Sequence, residues 1–156
     1  PEAFAPYGKV IVATDDMPPA TDVDAALDLR AGKPRFYVMS LGFRGYEVKG
    51  ITRHRSVTQC LASVGGLPWL LGVAPPSDNA DPDARPDLAA LRAFTIPGDV
   101  AVLLYRGTWH AGPYFHADQA RFFNLELSDT NVVDHHTCHF GPTFGFHYRL
   151  IDSTST

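Results

Sequence analysis

Residues 53–66 read RHRSVTQCLASVGG, and two of them, His54 and Gln59, have side chains suited to chemistry. Gln59 opens an otherwise apolar run that ends at the pair Gly65–Gly66. A buried amide left unpaired costs on the order of 1–3 kcal/mol, so Gln59 needs partners inside the fold. His54 is one candidate, because an imidazole titrates near neutrality and serves as base, acid or metal ligand. A second such histidine, His110, closes the segment YRGTWH three residues after Gly107. Arginines stand near both: Arg53 and Arg55 flank His54, Arg106 precedes Gly107, and Arg92 lies in PDLAALRAFTIPG. The chain holds ten arginines against three lysines, and a guanidinium grips a planar carboxylate with two parallel hydrogen bonds. Carboxylate anchors are therefore expected among Arg53, Arg55, Arg92 and Arg106. Strand alternation turns Arg53 and Arg55 away from His54, so at least one of them is expected to face outward.

The elements that must position these residues read as short strands. KVIVAT, RFYVMSLG, FRGYEVKGIT, VTQCLASVGG, LPWLLGVA, LRAFTI, VAVLLYR, RFFNLELS and TFGFHYRL recur between turn residues. This spacing predicts an all-β sandwich or barrel. Asp22–Arg30 is expected as a short helix, with Asp22 as N-cap and Gly32 near its end. An acidic, proline-rich loop is expected at about 74–88, and an irregular C-terminal segment from about 129, within one domain over residues 1–156. Alternation puts Val57, Gln59, Leu61 and Ser63 on one face of their strand. In residues 121–128 it sets Asn124 and Glu126 with Phe122, looking either into solvent or into a wet barrel lumen.

A net charge of −4 and the lack of any basic run argue against a nucleic-acid partner. No apolar run approaches the ~20 residues of a membrane span. Cys60 and Cys138 make a poor disulfide framework and are expected as free thiols in a reducing compartment. The expectation is a soluble, intracellular protein, in an organelle if a targeting segment preceded Pro1.

The two histidine segments have the forms T-x-H-x4-Q-x6-G (52–66) and Y-x-G-x2-H (105–110). They resemble the two motifs of the cupin superfamily, H-x-H-x4-E-x6-G and P-x-G-x2-H, with Thr52, Gln59 and Tyr105 as departures. The resemblance implies a single-domain cupin-type β-barrel (jelly roll) with one or two short helices. It also implies a three-ligand site of His54, Gln59 and His110 for one divalent metal such as Ni, Mn or Zn. The alternative is a metal-free cavity in which Gln59 hydrogen-bonds His54. Further stretches, EAFAPYGKVI, RHRSVTQ, PDLAALRAFTIPG and RGTWHAGPYF, are similar to the ureidoglycolate lyase family. The later stretch NLELSDTNVVDHHTCHF is similar to that family's plant and algal members.

That family splits ureidoglycolate into glyoxylate and urea at the end of allantoin breakdown. The reaction needs a base for the hydroxyl proton, an acid for the departing nitrogen and an anchor for the carboxylate. A metal chelated by the hydroxyl and carboxylate oxygens would lower the hydroxyl pKa. Without one, His54 or His110 becomes the base. Glu126 is a candidate second acid or base, and Trp109, beside His110, a packing or substrate-contact residue. His135, His136, Cys138 and His139 are expected in a loop whose Asp134 and histidines bond locally. The other readings are a different metal-dependent cupin enzyme on a small carboxylic acid, and a non-catalytic binding or assembly module. A homodimer through barrel edges is expected, since free edges invite pairing.

Overall fold

Period-two alternation in strand after strand produces two facing antiparallel sheets. The computed structural model describes residues 1–16 and 22–151. Its first half holds β1 (Gly8–Ile11), β2 (Pro34–Gly42), β3 (Glu47–Val48), β4 (Gly50–Arg53), β5 (Gln59–Ser63) and β6 (Trp69–Ala74). The second half holds β7 (Arg92–Ile96), β8 (Ala101–Leu104), β9 (Trp109–Tyr114), β10 (Gln119–Leu127), β11 (His136–His139) and β12 (Tyr148–Arg149). One sheet has the order β1-β8-β5-β10-β2, the other β11-β4-β9-β6-β7, and β12 pairs with β3 in a small ribbon. This is the expected all-β jelly-roll architecture. No helix among the described residues is long and apolar enough to cross a membrane.

Alternation decides what lies between the sheets. In β5, Gln59, Leu61 and Ser63 are buried while Cys60 and Ala62 are half-buried. In β10, Ala120, Phe122, Asn124 and Glu126 are buried, whereas Phe123 on the opposite face is exposed. Asn124 and Glu126 therefore look into the lumen. Leu61, Leu71, Val73, Val102, Leu104 and Phe122 pack there as the main core. A second core lies on the outer face of the β11-β4-β9-β6-β7 sheet, where Ile51, Ala74, Trp109, Ala111 and Cys138 meet Phe140. Phe140 opens the helix α2 (Phe140–Phe144), which with β12 covers that face.

Three expectations need correction. Residues 22–30 form turns, a bend and irregular chain, not a helix. The backbone of Asp28 bonds sideways instead: its N–H donates to Thr58 Oγ1 at 2.9 Å, and its carbonyl accepts the Thr58 N–H at 3.2 Å. Lys9 takes the carbonyls of Asp22 and Asp24. The segment from 129 is not irregular, for it contains α1 (Thr130–Val133), β11, α2 and β12. β11 completes the sheet by pairing His136–His139 against Arg53–Gly50. TFGFHYRL is not one strand: it divides between α2, with left-handed Gly145 as its C-cap, and β12.

The turn before β9 ties the two histidine segments together. Gly107 N–H donates to the His54 carbonyl at 2.7 Å. Its φ of +82° favours glycine, and an added Cβ would lie 2.1 Å from Asn79 Oδ1. Gly107→Ala is expected to cost about 1–2 kcal/mol, chiefly through the left-handed backbone. Urea denaturation should show a lower midpoint with an unchanged slope.

Candidate active site

His54 follows β4, and His110 lies in β9, the neighbour of β4 in the same sheet. Cross-strand pairing of Thr52 with His110 sets the register, and the two rings lie 5.0 Å apart, centre to centre. His54 Nδ1 is 2.6 Å from the Asp134 carbonyl, and His110 Nδ1 is 3.2 Å from the Thr108 carbonyl. A carbonyl only accepts, so both rings carry their proton on Nδ1 and keep the lone pair on Nε2. Orienting a histidine through its other nitrogen is also how metal-binding imidazoles are held. The Asp134 carboxylate fixes the same turn by accepting the N–H groups of Arg55 at 2.7 Å and Ser56 at 2.8 Å. The partners of the Asp134 carbonyl and carboxylate are thus some eighty residues away, and only its N–H bonds locally, to the Thr130 carbonyl at 3.0 Å.

Gln59 does not bond His54. Its Nε2 donates to Glu126 Oε2 at 3.0 Å and to Asn124 Oδ1 at 3.2 Å. Glu126, 1% exposed, also accepts from the Tyr37 hydroxyl at 3.2 Å and from Asn131 Nδ2 at 3.3 Å. Asn124 Nδ2 closes the circuit by donating to the Tyr37 hydroxyl at 3.1 Å. A carboxylate so supplied with donors is fixed in place and serves to aim the amide of Gln59. The Gln59 oxygen, Oε1, is buried without a partner among the described residues. A buried acceptor of this kind is costly unless something else meets it.

The motif arginines and Trp109 lie elsewhere. Arg53 is buried on the outer face of its sheet, where it stacks over Trp109 at 4.9 Å. It donates to His136 Nδ1 at 2.9 Å, to the Asp78 carbonyl at 2.9 Å and to the Asp81 carbonyl at 2.5 Å. Trp109 is also fully buried there and donates from Nε1 to Ser77 Oγ at 2.8 Å. Both hold the acidic loop, and neither contacts the lumen. Arg106 spans the Arg55 carbonyl and Asp28; Arg55 holds the Asn79 carbonyl; Arg92 is turned onto the carbonyls of Ala89 and Leu91. Each is tied to the chain itself through one or two of its nitrogens, away from the histidine pair.

Sequence reasoning missed the residues of a cleft that lies beside this site. A cleft of about 680 Å³ runs along the inner face of β4 and β11, lined by Thr52, Thr137, His135, Tyr46, Arg44 and Lys49 among others. His135, assigned to a local loop from its sequence, has its ring 5.7 Å from that of His54 and so connects cleft and histidine pair. The available signal was β11 itself: a period-two reading of HHTCH sends His135, Thr137 and His139 to one face.

Burial lowers the pKa of both paired histidines. Desolvation and then the neighbouring His54 push His110 from 6.5 down to about 3. His54 is lowered mainly by desolvation, against the opposing pull of the Asp134 carbonyl, Glu126 and Asp134. Both are neutral at pH 7, while in the unfolded chain they titrate near 6.5. Between pH 6.5 and 3 the unfolded chain binds more protons, so this contribution to stability is lost as pH falls through that window. The urea midpoint of metal-free protein is expected to decline across it, and His110→Asn should flatten the decline.

Among solved structures, the fold is similar to RmlC from Streptococcus suis in complex with dTDP-D-xylose, at 12% identity and a TM-score of 0.43 over 60% of this chain and 43% of that one. It is also similar to dTDP-4-dehydrorhamnose 3,5-epimerase from Elizabethkingia anophelis NUHP1, at 8% identity and a TM-score of 0.43 over 77% and 63%. The match thus spans less than two thirds of either of those chains. No protein of curated function matches in sequence. The family model described as Ureidoglycolate lyase matches residues 1–144, and the chain belongs to the ureidoglycolate lyase family.

Proposed function

We propose that the protein cleaves ureidoglycolate to glyoxylate and urea, in the cavity around His54, His110 and Gln59. The observation that carries this reading is the family match over residues 1–144, which includes both histidine segments. The paired neutral imidazoles and the unpartnered Gln59 oxygen support it chemically. Cleavage takes the hydroxyl proton, forms the aldehyde as the C–N bond breaks, and returns a proton to the departing nitrogen. In the metal-free protein an imidazole Nε2 is the proton acceptor this chain offers, because Nδ1 is committed to a carbonyl in both rings; an Nε2 that ligates a cation has no lone pair left for that role. Glu126, saturated with donors, acts as a positioning residue through Gln59.

One divalent cation is part of the proposal. No group of three or more His, Cys, Asp and Glu among the described residues is arranged to hold a metal. The proposed donors are His54 Nε2, His110 Nε2 and the unpartnered Gln59 Oε1. Two neutral imidazoles and an amide oxygen fit a weakly held ion of the Ni, Mn or Zn type. When bound, such an ion supplies Lewis-acid polarisation of the substrate hydroxyl.

Purified protein is expected to release urea and glyoxylate in equal amounts, and His110→Ala should lower the rate at least about a hundredfold. Elemental analysis of the same samples should find near one divalent metal per chain, lost in the variant. Urea release that survives His110→Ala would remove these histidines from the chemistry.

A homodimer across the free edge of β2 belongs to the same reading. β2 pairs on one side only, and beside that edge Phe36 stacks on Phe123 at 5.6 Å while 67% exposed. An exposed apolar patch along an open strand edge favours a partner. Sedimentation should give a dimer that Phe36→Glu converts to monomer. An intracellular setting is likewise proposed, supported by the unpaired Cys60 and Cys138.

A further inference from the structure

The lyase reading requires a cation for the substrate carboxylate, and the arginines of the histidine segments are occupied elsewhere. The cleft contains one guanidinium, that of Arg44. Its Nη2 donates to the Pro113 carbonyl at 3.1 Å, and its Cζ lies 4.9 Å over the Tyr114 ring. These contacts orient the plane and use one of its five N–H donors. Among the described residues, no carboxylate lies within ion-pair distance of Arg44, whereas Lys49, the other cation of the cleft, is 3.6 Å from Glu47. Arg44 thus carries the unbalanced positive charge of the cleft. Its free donors form the planar fork that matches a carboxylate.

The rest of the cleft is polar in the direction of the histidines. Thr52 and Thr137 face each other with hydroxyls 2.7 Å apart, and His135 follows, its ring 5.7 Å from that of His54. Gly50 and Thr52, both in the lining, are two residues apart, so this wall covers about 7 Å along β4. A small hydroxy acid bearing an amide spans a comparable length.

We propose that Arg44 anchors the substrate carboxylate at the outer end of this cleft and orients the hydroxyl and ureido groups toward His135 and the His54–His110 pair. This rests on the cleft being the substrate site of the lyase reading. Since the anchor acts on the intact carboxylate, it contributes to binding before the C–N bond breaks, and its loss is read in KM more than in kcat.

The test compares wild type, Arg44→Ala, Arg44→Lys and the outward-facing Arg121→Ala in urea release. Glyoxylate binding by calorimetry is measured alongside, since that product keeps the carboxylate and needs no turnover. Arg44→Ala is expected to raise KM for ureidoglycolate and the Kd for glyoxylate by roughly 10- to 100-fold, with kcat within a few-fold of wild type. Arg44→Lys should recover part of the loss, and Arg121→Ala none should be seen. Arg44 is exposed, so thermal melting should be unchanged and the loss not attributable to unfolding. If wild type releases no urea while Arg44→Ala still weakens glyoxylate, the lyase reading fails and the anchor stands. The anchor is overturned if Arg44→Ala leaves both KM and glyoxylate affinity within twofold of wild type, if the loss falls on kcat alone, or if wild type binds no glyoxylate.

Discussion

A carboxylate buried inside a β-barrel is tolerable only when donors surround it, and Glu126 imposes that condition on this fold. Its donors come from three separate elements: Gln59 on β5, Tyr37 on β2 and Asn131 on α1. β10 lies between β5 and β2 and sets both registers, pairing Leu125 with Cys60 and Glu126 with Arg35. A one-residue slip of either neighbour would carry its polar partner to the other face and leave the charge unmet. The network therefore specifies the pairing of three strands as well as the direction of one amide.

The second sheet divides its labour between its two faces. Inward it presents His110 and the cleft wall; outward it buries Arg53 against Trp109 beneath the acidic loop. The outward contacts still matter to the site. Arg53 and Arg55 grip the carbonyls of Asp78, Asp81 and Asn79, and Asn79 Nδ2 in turn donates to the Arg106 carbonyl at 3.3 Å. That places the 105–108 turn so that Gly107 reaches the His54 carbonyl. Charge that looked like substrate recognition in the sequence is spent on holding a loop, and through it a histidine.

Two carbonyls, of Asp134 and Thr108, determine what the histidines can do. By taking both Nδ1 protons they present two Nε2 lone pairs in a desolvated space, where protonation is disfavoured. Neutral imidazoles are competent both as bases and as metal ligands, and the open acceptor on Gln59 adds a third donor of oxygen type. The burial that keeps the pair neutral also makes the fold sensitive to acid, because folding must exclude two protons that the free chain accepts.

How much was legible in the sequence follows from which interactions are local. Alternation placed most of the strands, grouped Gln59 with Leu61 and Ser63, and grouped Asn124 and Glu126 with Phe122. The spacing of His54, Gln59, Gly107 and His110 resembled the cupin motifs, and longer stretches such as PDLAALRAFTIPG and RGTWHAGPYF pointed to the family to which the chain belongs. The choice between solvent and lumen for Asn124 and Glu126 needed the second sheet, since a period-two pattern has no sign. Residues 22–30 carry a helical pattern, but the pairing of Asp28 with Thr58 thirty residues away overrode it. Asp134 and His135 looked like parts of a loop because their partners lie about eighty residues off in the chain. The fate of the arginines was likewise tertiary: a guanidinium is equally suited to a carboxylate, a ring face or a row of carbonyls, and only the packed chain decides which of these it meets.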